Sequence, residues 1–230
     1  LLRSLLGTAD ELEKGSYTSA NVHLEKTFKG TPKRRFSWDL DFAGYRQEEG
    51  RNFTSRGFTP QGALIPGSDF RFNSTTNQRT NSYITSLDYT EPLGKGTLSF
   101  GAKGTWTRTR NTNDYDALST IGERHDKILF DEHVYALYAD LSQPLSAKWS
   151  LRSGLRMEYT HTAGENNGRR LENLRSYLNI FPTLFIGYNP NERHAFSLDA
   201  TVRLNRPHFS QLSPFPRYEN QYSTLIGKED

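Results

Sequence analysis

The sequence predicts an all-β fold, an antiparallel up-and-down meander of about eight long strands, and three observations predict it. Apolar and polar residues alternate with period two along segment after segment, the spacing that puts every second side chain on one face of a strand. Tight turns and long polar connections follow each other in strict succession. The chain is strongly polar, with a mean hydropathy of −0.77, yet 13% of its 230 residues are aromatic, as expected of strands with one wet and one apolar face.

The first strand is predicted over 17–28. In the second, Phe36, Trp38, Leu40 and Phe42 alternate with Ser37, Asp39, Asp41 and Ala43, a pattern from which a helix of period 3.6 gains no useful apolar face. The third sets Tyr83, Thr85, Leu87 and Tyr89 against Ile84, Ser86 and Asp88, and the fourth sets Leu98, Phe100, Ala102 and Trp106 against Ser99, Lys103 and Thr105. The fifth, Val134–Leu141, carries apolar residues on both faces. The sixth sets Leu151, Leu155, Met157 and Tyr159 against Arg152, Gly154, Arg156 and Glu158. The seventh, over 176–189, gathers Leu178, Ile180, Leu184, Ile186 and Tyr188 on one face. The eighth runs from His194, with Phe196, Leu198, Ala200, Val202 and Leu204 against Ser197, Asp199, Thr201 and Arg203. Residues 1–15 read as a cut N-terminal end or a partial strand, and 16–230 as one barrel segment.

Short turns are expected near 30–33, 92–96, 144–147 and 189–192, and long polar loops at 47–79, 111–128, 163–175 and from 207 onward. A soluble sandwich has no reason to gather every tight turn at one end and every long loop at the other. A transmembrane β-barrel does, with short periplasmic turns and long extracellular loops. Strands able to reach the roughly 9 to 11 residues of a bilayer crossing support the same choice. Sheet edges are not tolerated in hydrocarbon, so these strands belong to a closed, larger barrel. Phe36, Trp38, Leu40, Phe42, Leu151, Leu155, Phe196, Leu198 and Val202 should then share the lipid-facing surface, with Trp38, Tyr89, Trp106, Trp149 and Tyr159 in its aromatic girdles.

Composition excludes several classes. Disordered chains are poor in aromatics, and no run of about 20 apolar residues offers a membrane-spanning helix. With no cysteine there is neither a disulfide framework nor a thiolate zinc site. The formal charge of +3 comes from 29 basic and 26 acidic residues, scattered apart from Lys33-Arg34-Arg35, so no basic stripe suits nucleic acid.

Several stretches resemble a known family. Asp88-Tyr89-Thr90-Glu91-Pro92-Leu93-Gly94-Lys95-Gly96 with Leu98-Ser99-Phe100-Gly101-Ala102-Lys103, Trp149 through Thr160, Phe181-Pro182-Thr183-Leu184 and Arg206-Pro207-His208-Phe209-Ser210-Gln211-Leu212-Ser213-Pro214-Phe215 are similar, in this order, to the Bacteroidetes outer-membrane β-barrel family related to TonB-dependent receptors. Ser213 stands where that family usually has Asn. The resemblance spans about Ser16 to Gly227 and implies a barrel fragment, without its plug domain, at the bacterial outer membrane. At about 29 residues per strand and loop, a barrel of about 22 strands needs roughly 600 residues or more. The resemblance further implies uptake of a scarce polar ligand, outer-membrane lipid around the barrel, a plug domain and the TonB system as partners, in some relatives a surface lipoprotein, and no catalysis.

Candidate chemical sites are few. Gly94-Lys95-Gly96 joins two strands without a following helix start, so it reads as a hairpin turn rather than a phosphate loop. No two of the six histidines have metal-site spacing along a helix or strand, although His125 and His133 could approach across a loop. The adjacent carboxylates Glu48 and Glu49 point apart on an extended chain. Asn52 and Asn73 open glycosylation sequons without meaning in this setting. No catalytic residue, metal site or cofactor is expected.

Two groups remain. Asp39, Asp41, Asp88, Glu158 and Asp199, with Lys103, Arg152, Arg156 and Arg203, should face the lumen, where they pair with one another or meet a plug or polar ligand. The longest connection, 47–79, carries Arg51, Phe53, Arg56, Phe58, Phe70, Arg71 and Phe72, rings and charges together, suited to gripping a ligand or partner or to forming the loop's own small core. Two other functions compete with a receptor barrel. One is a complete small barrel of about eight strands acting as anchor or adhesin; the other is a soluble β-sandwich that binds glycan.

Overall fold

The computed structural model describes residues 4–117, 122–171, 176–204, 217–218 and 224–225. All regular structure in them is strand. A nine-stranded sheet runs in the order β1-β2-β3-β4-β5-β6-β8-β9, with the short β7 paired to β6 off that path, and every pair is antiparallel. The long strands are β1 (Ser4–Phe28), β2 (Thr31–Phe58), β3 (Phe70–Leu93), β4 (Gly96–Ala117), β5 (Arg124–Pro144), β6 (Trp149–Asn166) and β8 (Ser176–Asn191). β7 is Arg169–Arg170, β9 is His194–Thr201, and β10 (Arg217–Tyr218) with β11 (Thr224–Leu225) form a separate ribbon. The expected meander is present.

Sequential antiparallel neighbours fix where connections lie. The β1–β2, β3–β4, β5–β6 and β8–β9 turns share one end of the sheet and the β2–β3, β4–β5 and β6–β8 connections the other. Two of the turns are built on glycines with positive φ, Gly30 at 78° and Gly94 at 60°, where a side chain would be strained. Gly94-Lys95-Gly96 is thus part of a hairpin, as its flanks indicate.

The long loops are far shorter than expected. Most of 47–79 is strand, β2 running to Phe58 and β3 beginning at Phe70; most of 111–128 belongs to β4 and β5, and β6 continues to Asn166. β2 alone has 28 residues. Beyond the apolar band both faces of these strands are wet, so the hydropathy contrast that reveals a strand disappears although the ladder continues. Hydroxyls on the polar face stitch it across strands instead: Thr80 with Thr109 at 3.2 Å and Ser82 with Thr107 at 3.0 Å. At the N-terminus, Ser4 through Gly15 lie in β1 in unbroken register with β2. The region from 207 onward, including the motif from Arg206 to Phe215, lies outside the described residues.

Register carries one apolar face across the sheet. Val22 and Leu24 oppose Leu40 and Trp38; Phe36, Trp38 and Phe42 oppose Tyr89, Leu87 and Tyr83; these oppose Phe100, Ala102 and Trp106. The same face continues through Leu137 to Met157 and Ile180, and through Leu151 to Ile186 and Leu198. Phe36, Leu40, Leu137, Leu155, Phe196, Leu198 and Val202 are exposed, and no second sheet packs on them among the described residues, as a lipid-facing surface requires.

Rings bound this face on both sides. Toward the long connections stand Phe42 with Tyr83 at 5.2 Å and Trp106 edge-on to Tyr135 at 6.0 Å. Toward the turns stand Tyr89 with Phe100 at 5.2 Å and Trp149 stacked on Tyr188 at 4.3 Å. Gly104 lets the Trp106 indole lie flat, since a Cβ there would meet Cη2 at 2.6 Å. Trp38 sits inside the band rather than in a girdle, opposite Leu87, and donates its indole N–H to Thr85 Oγ1 at 3.0 Å.

The turn-side rings do not follow one hydrogen-bonded row. The row through Phe36, Tyr89 and Phe100 reaches Leu155 and Pro182, whereas the rings on β6 and β8 are Trp149 and Tyr188. That is a drop of about six residues across the two to five strand spacings that separate these rings, the slant of strands that cross a membrane obliquely. Transmembrane barrels tilt by about 35–45°. At that tilt the stretch from Trp149 to Tyr159 stands about 26 Å tall, matching an apolar band of about 25 Å.

At the turn-side rim, Arg34 grips Glu91 through Nε at 2.8 and 3.1 Å, with a further contact from its terminal nitrogen, and Tyr89 Oη donates to Glu91 at 2.6 Å. The Arg34 hydrogen bonds, then that from Tyr89, hold the Glu91 carboxyl below its ordinary pKa. A depressed folded-state pKa gives stability that is present above the unfolded value and lost as pH falls through the folded one. The midpoint of the wild-type protein should therefore be level above the ordinary carboxylate value of about 4.3 and fall as pH drops from there toward the folded value. Arg34→Gln should start from a lower midpoint at neutral pH and fall less over the same range, so that the two curves converge at low pH, as a heat-denaturation series against pH would show.

Candidate functional site

The face opposite the apolar band collects the charged residues of the strands. Alternation and register place Asp39 and Asp41 on β2, Asp88 on β3, Lys103 on β4, Arg152, Arg156 and Glu158 on β6 and Asp199 on β9 on it together, with Arg203 in phase just past β9. Several are paired. His23 Nδ1 meets Asp39 at 2.5 Å, Asn21 donates to Asp41 at 2.6 Å and Tyr138 Oη donates to Asp88 at 2.7 Å. Arg156 Nε donates to the nearly buried Glu158 at 2.6 Å, and its guanidinium lies 5.2 Å from the Tyr138 ring centre.

Higher up, where β2 and β3 rise past the upper rings, the same face carries an aromatic pile. Phe53, Phe70, Phe72 and Tyr115 form one buried cluster, with Phe53 stacked on Phe72 at 5.2 Å and both edge-on to Phe70 at 6.2 and 5.9 Å. Register explains the meeting: Phe53 opposes Phe72, Ser55 opposes Phe70 and Ser74 opposes Tyr115. On β1, Gly7 makes room, since a Cβ there would touch the Phe53 ring at 3.3 Å. The Arg51 guanidinium lies 5.7 Å from the Phe53 centre and 5.8 Å from that of Phe72, and its Nε meets Glu11 at 2.9 Å. A cation over two ring faces adds roughly 0.5–2 kcal/mol per contact, more where water is excluded.

Of the seven residues singled out on this connection, the structure brings together Arg51, Phe53, Phe70 and Phe72. Arg56, Phe58 and Arg71 fall on the other face by alternation, Arg56 pairing with Asp69 at 2.9 Å and Phe58 bridging Leu64. The three clustered rings are a small core inside a tall hairpin, not free surface; Phe72 is 2% exposed. Tyr115, on β4, completes the pile, and only the β3–β4 register reveals it.

The histidines are arranged otherwise than the loop reading suggested. His125 and His133 lie on the same strand, β5, eight residues apart, so they do not converge; His125 pairs with Asp114. His133 and His161 do meet, directly opposed on β5 and β6 with ring centres 6.1 Å apart on the apolar face. Among the described residues no group of three or more His, Cys, Asp or Glu is placed to hold a metal.

Comparison with known proteins adds the context. The model of the outer membrane protein beta-barrel family matches residues 26–230. No curated protein sequence matches the chain. Among solved structures, it is similar to the ferric yersiniabactin uptake receptor FyuA of Yersinia pestis, with 13% identity and a TM-score of 0.44 over 80% of this chain. The chain spans 33% of that receptor's length.

Proposed function

From the premise that this chain belongs to the outer membrane protein beta-barrel family, and so to the bacterial outer membrane, we propose that it is part of the wall of a receptor barrel. That receptor imports a scarce polar ligand, with energy delivered through TonB to a plug in the full-length protein. The observation that carries this reading is the β2–β3 hairpin. It rises well past the apolar band, is stiffened by Phe53, Phe70, Phe72 and Tyr115, and exposes Arg56, Arg71 and its tip at 59–69. A wall that served only as an anchor needs none of this. The charged face of the strands suits a wet lumen, where Lys103, Arg152, Asp199 and Arg203 stand ready for a plug or a polar ligand. A surface lipoprotein is a fitting partner for the hairpin tip.

Among the described residues β1 pairs only with β2, and β9 only with β8. Both edges must find partners in hydrocarbon, which suits a wall that continues on both sides. Deleting 51–72 in the full-length receptor should abolish ligand uptake and leave barrel insertion intact. Uptake at the wild-type rate would remove the hairpin from the site, and failure to insert would make it structural.

A further inference from the structure

On the outward face, above the upper rings, three arginines stand in one row. Arg46 on β2 directly opposes Arg79 on β3, and Arg79 directly opposes Arg110 on β4. Each lies four residues past a ring of the upper girdle, Phe42, Tyr83 or Trp106. All three share the lipid-facing phase of those rings and are exposed. None makes an ion pair among the described residues.

Their neighbours on this face do not neutralise them. Glu48 lies two residues beyond Arg46 and opposes Lys14. Arg108 is taken by Asp131 at 2.7 Å. Glu165 opposes Leu129, one strand beyond Arg110, and Lys127 adds another cation on β5. Directly opposed side chains have Cβ atoms about 4.5–5.5 Å apart, and like charges so placed destabilise a sheet. Three in succession call for an anion between them.

Their height names it. Four residues cover about 14 Å along a strand and about 10 Å in height at about 40° of tilt, which brings the guanidinium groups to the headgroup layer beyond the hydrocarbon. The long-strand end of such barrels faces outward, so the leaflet is the outer one. Guanidinium binds phosphate oxygens in two-point contacts, and a row of three spans more than one phosphate group. The geometry points to a binding site for the phosphate groups of an outer-leaflet lipid headgroup, formed by Arg46, Arg79 and Arg110 on the outside of the wall.

The test uses the full-length protein in nanodiscs of phosphatidylcholine, alone or with lipid A, and follows its thermal unfolding. The wild-type midpoint should rise with lipid A, and the apparent affinity should fall about fivefold for each arginine replaced by glutamine. The triple variant Arg46→Gln, Arg79→Gln, Arg110→Gln should show no rise, its lysine counterpart a partial one, and Lys95→Gln at the β3–β4 turn the full one. Inorganic phosphate added to phosphatidylcholine discs should not substitute. The proposal is overturned if the wild type does not respond to lipid A, if the triple variant responds equally, or if inorganic phosphate alone reproduces the rise. Should the triple variant fail to insert, the single variants and the wild-type lipid dependence decide alone.

Discussion

Leu155→Arg is expected to destabilise the inserted barrel by about 2–4 kcal/mol, the cost of an arginine facing lipid near the bilayer midplane. Leu155 is the best place to look: it is 48% exposed, opposed by Ala139 and Pro182 on the apolar face, and lies near the middle of the stretch from Trp149 to Tyr159. Its side chain has little protein packing to lose, so the measured effect reports the surrounding solvent. The control is Ser99→Arg, on the polar face of β4 opposite Asp140, where arginine meets water and a carboxylate and should cost under about 1 kcal/mol. Reversible unfolding of the full-length protein from bilayers gives both numbers. Equal penalties would mean that the two faces see the same medium, contrary to a membrane wall.

Phe72→Ala should cost about 3–5 kcal/mol, the range for emptying a buried phenylalanine site. The loss falls on the upper half of the β2–β3 hairpin and not on the membrane band, because Phe72 packs in one cluster with Phe53, Phe70 and Tyr115 and under the Arg51 guanidinium, all of them above the upper rings. Amide exchange should therefore speed up over 51–58 and 70–74 while Phe36–Phe42 stays protected, and protease should begin to cut at 59–69. A uniform loss of protection over the sheet would show that the hairpin tip and the band open as one unit.

The two variants also show which parts of the fold were legible in the sequence. Within the band, solvent differs on the two faces, so Phe36 to Phe42 or Leu98 to Trp106 announce both strand and facing by alternation. Past the rings that difference is gone, and Arg51–Phe58 or Phe70–Arg79 look like loop although they lie in continuous ladders. The aromatic pile was half legible: the phenylalanines were conspicuous on their connection, but which rings meet depends on parity along β2 and β3. Phe58 and Arg56 fall on the wrong side by one position, and Tyr115 arrives from a strand more than forty residues away from Phe72. The arginine row was invisible for the same reason. Arg46, Arg79 and Arg110 are separated by about thirty residues each, and only the pairing of three strands lines them up.

The length of β2 has a consequence for what approaches the cell. Phe53 lies eleven residues beyond Phe42, about 37 Å along the strand and about 29 Å above the upper rings at about 40° of tilt. The phosphate layer lies about 10 Å above those rings and the Debye length at physiological salt is about 8 Å, so the Phe53 cluster already stands more than two screening lengths outside the phosphate layer, and the hairpin tip at 59–69 further still. An anionic molecule arriving there feels the local arginines and almost none of the membrane's own negative potential. First contact is thereby separated from the electrostatic barrier that the same molecule would meet at the headgroups.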